Sequence, residues 1–222
     1  MSMSGIVVIT GANRGIGLEL ARWYAREGLS VVGACRQTSP ELAEVAEVVE
    51  GVDVTTDVGV QRLVDALGER TVTLLINNAG LLKDEQLGTV DYDAMRAQME
   101  INAYAPLRVT EALLPRLAAG SKVANITSRM GSIEDNDAGG RYGYRASKAA
   151  LNAIGKSLAM DLKPRGIAVA QLHPGYVKTR MVNFGGLIEP EVAARGLAER
   201  IAALTLENTG SFWHSNGERL PW

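Results

Sequence analysis

Tyr144 and Lys148 stand four residues apart in the run Tyr142-Gly-Tyr-Arg-Ala-Ser-Lys148. On a helix that spacing stacks two side chains on one face, one turn apart. A phenol beside an ammonium is a proton donor whose pKa is expected to fall from about 10 toward neutrality. Such a group suits the reduction of a carbonyl at neutral pH. Tyr142 is the competing phenol, and no lysine follows it at the same spacing.

A hydride source is suggested early in the chain. The apolar run Ile6–Ile9 leads into Thr10-Gly-Ala-Asn-Arg-Gly-Ile-Gly17. Gly11 permits a tight turn off a strand, Gly15 lets backbone approach a pyrophosphate, and Gly17 lets a helix pack on the sheet. Asn13, Arg14 and Ile16 share this loop, and the helix that follows would turn free N–H groups and a positive dipole end toward phosphates. A Walker loop would instead end in Gly-Lys-Ser/Thr. An NAD site places an acid about 20 residues past the loop. Here the next strand ends Gly33-Ala-Cys-Arg36, and no Asp or Glu lies between Glu27 and Glu41. Arg36 and Arg14 can pair with a 2′-phosphate, so NADP(H) is preferred over NAD(H). Either arginine alone would read as a solvated surface charge.

These groups need elements to position them. Short β-rich runs occur at Gly5–Thr10, Ser30–Cys35, Val49–Val52, Val72–Asn77, Lys122–Thr127, Ile167–His173 and Gly210–His214. Helical patterns lie between them, at Gly15–Glu27, Ser39–Val48, Asp57–Gly68, Asp91–Ala118, Tyr142–Leu162 and Pro190–Leu204. Pro106 and Pro115 are expected to kink or bound the fourth of these helices. Strands with little internal alternation, joined by helices, predict an α/β fold with a parallel sheet covered on both faces. With no repeat, linker or low-complexity tract, residues 1–222 are read as one domain. Ser132–Arg141 is a polar loop.

Composition narrows the classes. The 222 residues are 46% hydrophobic and 22% charged, as in an ordinary globular core with a solvated surface. The net charge of -2 comes with scattered basic residues, which argues against nucleic acid. Cys35 is the single cysteine, consistent with a reducing, cytoplasmic setting. His173 and His214 are far apart in sequence, so no metal site is expected. No apolar run is long enough for a membrane span, and Met1–Gly5 lacks the basic region of a signal peptide.

Taken together, Thr10-Gly-x3-Gly-Ile-Gly17, Asn77-Asn-Ala-Gly80, Asn102, Ser128, Tyr144-x3-Lys148 and Pro174-Gly175 with Thr179 follow the order found in short-chain dehydrogenases/reductases. The chain resembles that superfamily over nearly its whole length. Within it, the chain is similar to the small carbonyl-reductase-like group that includes the C-factor signalling protein and sniffer. The cues are Ser128-Arg-Met-Gly-Ser-Ile133, Tyr144–Asn152 and the ending Gly217-Glu-Arg-Leu-Pro-Trp222.

The resemblance implies a Rossmann-type, doubly wound three-layer sandwich around a mostly parallel seven-stranded sheet. It implies Tyr144 as general acid, Ser128 as a hydrogen-bond donor to the substrate oxygen, and Lys148 on the nicotinamide ribose. It implies Asn102 as the holder of a water in a proton relay. Asp53 and Val54 would meet the adenine, and Asn78, Ala79 and Gly80 would line the adenosine side. Pro174, Gly175, Val177 and Thr179 would hold the nicotinamide carboxamide. Some positions have plainer readings. Thr127 rivals Ser128, although Gly131 sits where the family has glycine three residues past its serine. Asp53 could cap a helix, and Asn78–Gly80 could be structural. Ser128 and Tyr144 are 16 positions apart, wider than usual, so Ser132–Arg141 reads as a small insertion beside the substrate cleft. The segment from Thr179 to Pro190 is short for a substrate lid, which predicts an open pocket.

The expected activity is NADPH-dependent reduction of a small ketone or aldehyde, or the reverse on an alcohol. The alternative is an NADP(H)-binding signalling or sensor protein of C-factor type. The resemblance also implies a homodimer or homotetramer.

Overall fold

The computed structural model describes residues 5–222. Met1–Ser4 lie outside the described residues, and with them most of the segment judged not to be a signal peptide. The strands are β1 (Ile6–Thr10), β2 (Ser30–Cys35), β3 (Glu47–Glu50), β4 (Val72–Asn77), β5 (Leu117–Ile126), β6 (Ala168–His173) and β7 (Ser211–His214). They form one sheet in the order β3-β2-β1-β4-β5-β6-β7, and every neighbouring pair is parallel. This is the expected Rossmann-type architecture, with no antiparallel strand in the sheet among the described residues.

Alternation along each strand feeds two cores. Val7 and Ile9 of β1 face the helices α1 (Gly15–Arg26) and α7 (Pro190–Ala202), where Leu20, Ala21, Leu197 and Ile201 are buried. Ile6 and Val8 face the opposite layer. It contains Leu63 of α3 (Asp57–Leu67), Val109 and Leu113 of α5 (Ala105–Leu113), and Leu162 of α6 (Tyr142–Leu162). Covered on both faces, the strands read as unbroken apolar runs.

Two predicted helices differ from the structure. Ser39–Val48 is only a single turn, α2 (Pro40–Ala43), capped by the Ser39 hydroxyl accepting from the Leu42 N–H at 3.3 Å. The chain then joins the sheet at Glu47, two residues before the predicted strand, because its backbone pairs with Val32–Cys35 of β2. Ladder bonding at the sheet edge overrides a helical pattern rich in Ala and Glu. Asp91–Ala118 is not one helix. It divides into α4 (Tyr92–Met99), a π-helical turn at Glu100–Tyr104, and α5, and it closes with a 3-10 turn at Leu114–Arg116 that contains Pro115. Pro106 has no N–H to give to the Asn102 carbonyl four residues back, so the α register cannot run through unbroken. The strand then begins at Leu117 rather than Lys122, with a register shift where Val72 pairs Leu117 and Leu74 pairs Lys122.

Among the described residues, no helix is long and apolar enough to cross a membrane.

Candidate active site

The chain winds outward from β1 to β3 on one side, then crosses back to β4 and winds outward on the other. The crevice between the carboxyl ends of β1 and β4 is where open α/β sheets bind ligands. The glycine loop starts there. Gly11 has φ +64°, and a Cβ on it would sit 2.9 Å from the Ala79 backbone. Gly17 packs with no room for a side chain against Asn78 and the Gly11 carbonyl. Gly15, with φ +54°, faces the Thr179 methyl, so a side chain there would narrow the gap between the loop and Thr179. The Asn78 side chain donates to the Thr10 and Gly11 carbonyls at 3.0 and 3.1 Å, and the Thr10 hydroxyl accepts from the Asn78 and Ala79 N–H groups. Asn78 and Ala79 thus brace the loop. Asn13 ties it to the end of β2 by donating to the Gln37 carbonyl at 2.8 Å. Ile16 packs against the α1 core. The first turn of α1 has no side-chain cap and no acid, so its N–H groups are left for an anion.

Arg14 and Arg36 are both exposed. Arg36 stands near Asp53, and its charge helps to lower that carboxyl. The larger causes are the hydrogen bonds to Asp53 from the Thr55 hydroxyl and N–H, at 2.7 and 2.9 Å. Asp53 is therefore occupied in a local turn, and the cap of α3 is Thr56 instead. Val54 beside it is buried. One acid does reach the end of β2: Glu50, at the end of β3, accepts from the Thr38 N–H at 3.2 Å. Sequence spacing hides it, because the contact comes from strand pairing.

At the end of β5, Ser128 and Tyr144 come together. Both are nearly buried, and they lie close enough for the Ser128 hydroxyl to act on the phenol. Ser128 also opens a 3-10 turn, Arg129–Gly131, by accepting from the Met130 N–H. Gly131 is obligatory there, since a Cβ would lie 2.6 Å from the Lys148 carbonyl carbon. This explains physically why a glycine three residues on marks the serine. Thr127 is set apart: its hydroxyl leans on the Lys148 carbonyl at 3.4 Å. Tyr142 is exposed.

Lys148 is buried, with Nζ donating to the Ile126 carbonyl at 2.8 Å and lying 5.8 Å from the Tyr144 ring centre. The expected lowering of the Tyr144 pKa is corrected by the structure. Burial raises the phenol, and the nearby Ser128 hydroxyl and the Arg141 charge only partly oppose it. Burial also pushes Lys148 down to about 7. Desolvation disfavours both charged forms and outweighs the pairing that their spacing suggests.

Asn102 sits in the π-helical turn, fully buried. Its side chain accepts from the Leu81 N–H and donates to the Leu81 carbonyl and the Ser147 hydroxyl, at 2.8, 2.7 and 3.0 Å. Gly80 packs closely on it. On the β6 side, Gly175 has φ +91° and faces Ile188 and His214. Val177 pairs with Ile188, and Lys178 donates to the Ile188 carbonyl at 2.9 Å. This folds the segment after Pro174 back on itself, and its Met181 reaches toward Gly80 across the crevice.

Several residues at the site were not singled out from sequence. A cleft of about 420 Å³ opens between the loop after β4, the Arg129–Gly131 turn and the start of α6, lined by Asp84, Glu85, Met130, Gly140, Arg141 and Arg145 among others. Its rim is the Ser132–Arg141 loop. That loop is pinned by the Ile133 N–H and the Ser132 hydroxyl, both donating to the Trp222 carbonyl at 2.6 and 2.9 Å. The two histidines, far apart in sequence, pair edge-to-face at 4.8 Å because β6 and β7 are neighbours. His173 is held neutral, its pKa pushed down to about 3 by burial first and then by His214, Arg129 and Lys148. Among the described residues, no three potential ligands gather as a metal site requires.

The short chain dehydrogenase family model matches residues 5–185. The chain is 42% identical to the 1-hydroxy-2-glutathionyl-2-methyl-3-butene dehydrogenase of a Rhodococcus strain, covering 97% of this chain and 99% of that one. It is 44% identical to the C-signal of Myxococcus xanthus, over 68% of this chain and 93% of that one. A carbonyl reductase of Pseudomonas aeruginosa solved with NADP superposes with a TM-score of 0.86 at 31% identity, covering 98% of this chain and 99% of that one. With its seven parallel strands, its glycine loop at the β1–β4 crevice and a match over most of its length, the chain belongs to the short-chain dehydrogenase/reductase family, among the carbonyl-reductase-like oxidoreductases.

Proposed function

We propose that this oxidoreductase interconverts a carbonyl and an alcohol with NADP(H), and that residues 1–222 act as one Rossmann domain carrying both sites. The observation that carries the reading is the buried Tyr144 phenol beside Ser128, with Arg141 and Arg145 on either side of it in sequence lining a cleft. A phenol raised above its ordinary value stays protonated at neutral pH, as an acid for carbonyl reduction must. Tyr144 gives its proton to the substrate oxygen, and Ser128 holds that oxygen in place. Lys148, near half-protonated at pH 7, binds ribose hydroxyls and eases the proton's return to Tyr144. Asn102 fixes the Leu81 and Ser147 side of the relay.

The Gly11–Gly17 loop and the first turn of α1 fit a diphosphate. Arg14 and Arg36 fit a 2′-phosphate, while Asp53, Val54 and Asn78–Gly80 flank the adenosine. Pro174, Gly175, Val177 and Thr179 orient the nicotinamide. When bound, NADP(H) supplies or accepts the hydride. The direction of oxidation draws support from the relative named as a dehydrogenase of a glutathione-bearing alcohol. The similarity to C-signal keeps a signalling role as the second reading. The substrate is a small molecule, the setting is cytoplasmic, and the assembly is a homodimer or homotetramer.

The test is a spectrophotometric screen of carbonyls and glutathione-conjugated alcohols with each nicotinamide cofactor. Turnover with NADP(H) favoured is expected, and Arg36→Asp should shift preference toward NAD(H) by about tenfold or more. Cofactor binding without turnover of any substrate would favour the signalling reading. An unchanged cofactor ratio in Arg36→Asp would remove Arg36 from the site.

A further inference from the structure

We propose that Glu85 is a positioning residue for Tyr144: its buried carboxylate seats the first turn of α6, in the place of a cap that the helix lacks. The proposal rests on Tyr144 being the proton donor.

The helix α6 has 21 residues, but its start is poorly furnished. The residue before it, Arg141, is left-handed (φ +50°), offers no side-chain cap, and the first turn holds no acid. The first N–H groups of a helix need partners from elsewhere. Glu85 supplies one from 58 residues away in sequence. It lies in the loop after β4 and is only 4% exposed. One carboxylate oxygen accepts from the Gly143 N–H at 3.2 Å. The other accepts from the Gln98 side-chain NH₂, and the Glu85 carbonyl accepts from the Arg141 N–H at 3.0 Å.

The anchor itself is tied down. Gln98 is fully buried on α4 and accepts from the Lys83 N–H at 2.9 Å. Asp84 pairs with the Arg141 side chain at 2.5 Å. Negative charge at a helix N-terminus also opposes the dipole favourably. Gly143 completes the fit, because a Cβ on it would lie 2.7 Å from the Glu85 carboxylate and 2.6 Å from the Gln98 nitrogen. Only glycine lets the carboxylate reach the backbone there. Tyr144 is the next residue. Its hydroxyl must meet Ser128, which is carried by a different element, the end of β5. A clamp on the residue before it sets the height and rotation of the phenol against that serine.

The test is steady-state kinetics on Glu85→Ala, Gly143→Ala and the double variant, alongside the wild type and Tyr144→Phe. The readouts are kcat, KM and the dissociation constant of NADPH. Each single change should lower kcat about 10- to 100-fold, the cost of misplacing a reacting group by around an ångström. NADPH affinity should stay within about twofold, because the glycine loop lies on β1. The losses in the double variant should not multiply, since both changes break the same Glu85–Gly143 contact and the Gln98 amide, no longer held by the carboxylate, can give way to the methyl. Wild-type kcat in both single variants, or losses that multiply in the double, would overturn the proposal. Should Glu85→Ala not fold, Glu85→Gln decides. It turns one acceptor into a donor facing a donor, so a several-fold fall in kcat is expected, and wild-type kcat would again overturn the proposal. An inactive wild type, or an active Tyr144→Phe, would instead refute the proton-donor reading itself.

Discussion

Tyr144 and Lys148 illustrate what spacing can and cannot say about a residue. Four positions apart on a helix does bring them to one face, with the ammonium 5.8 Å from the ring centre. The direction of their pKa shifts does not follow from spacing, since it is set by burial, and burial comes from β5, the turn at Arg129–Gly131 and the α4–α5 segment. The lysine carries a measurable consequence. Its folded pKa of about 7 lies below the unfolded value, so the unfolded chain binds more protons between about pH 7 and 10. Stability should therefore rise with pH across that window. Lys148→Met removes the buried ammonium. Its gain in Tm over the wild type should be larger near pH 7 than near pH 9.5, by the equivalent of a few kcal/mol at roughly 1.4 kcal/mol per pKa unit. Thermal unfolding at the two pH values checks this, and an equal difference at both would contradict the desolvation account. Glu85 and Arg141 were illegible for a related reason. Nothing local marks an acid that serves a helix 58 residues away.

At the scale of elements, legibility followed the strength of the local pattern. The Gly15–Arg26 helix and the Val72–Asn77 strand stand close to where periodicity puts them, because both are bounded by glycine turns or by polar residues and packed on a continuous core. The edge strand at Glu47–Glu50 was displaced by pairing with β2, and the helix thought to run from Asp91 was divided around Asn102. That division matters for the site, as the π turn carries Asn102 to the Leu81 backbone. The turn at Arg129–Gly131 is the most sensitive joint. Gly131→Ala would press a methyl into the Lys148 backbone, which cannot swing aside as a side-chain end could. It should cost about 1–3 kcal/mol in chemical denaturation and lower turnover by moving Ser128. A change under about 0.5 kcal/mol would show that the turn yields freely.

For the whole molecule, a parallel sheet with a strand-order reversal leaves a crevice at its carboxyl edge, and the candidate groups follow the ends of six strands, β1 to β6, or stand on α6 and the π turn. The alternation of apolar runs with helical patterns was enough to anticipate a parallel sheet covered on both faces, while the doubly wound strand order came only with the family resemblance. The cleft's chemistry was less visible, because its walls come from loops after β4 and β5 that meet only in the fold. The order of strands also separates the two halves of the site. The glycine loop belongs to β1, while the proton donor belongs to α6 beyond β5, so one can be disabled without the other. The central claim, that Tyr144 is the proton donor of an NADP(H)-dependent oxidoreductase, is tested most directly by Tyr144→Phe, with turnover and NADPH affinity measured on the same preparation. The expected result is a fall in kcat of about 100-fold or more with NADPH bound as in the wild type. Turnover at the wild-type rate would contradict it.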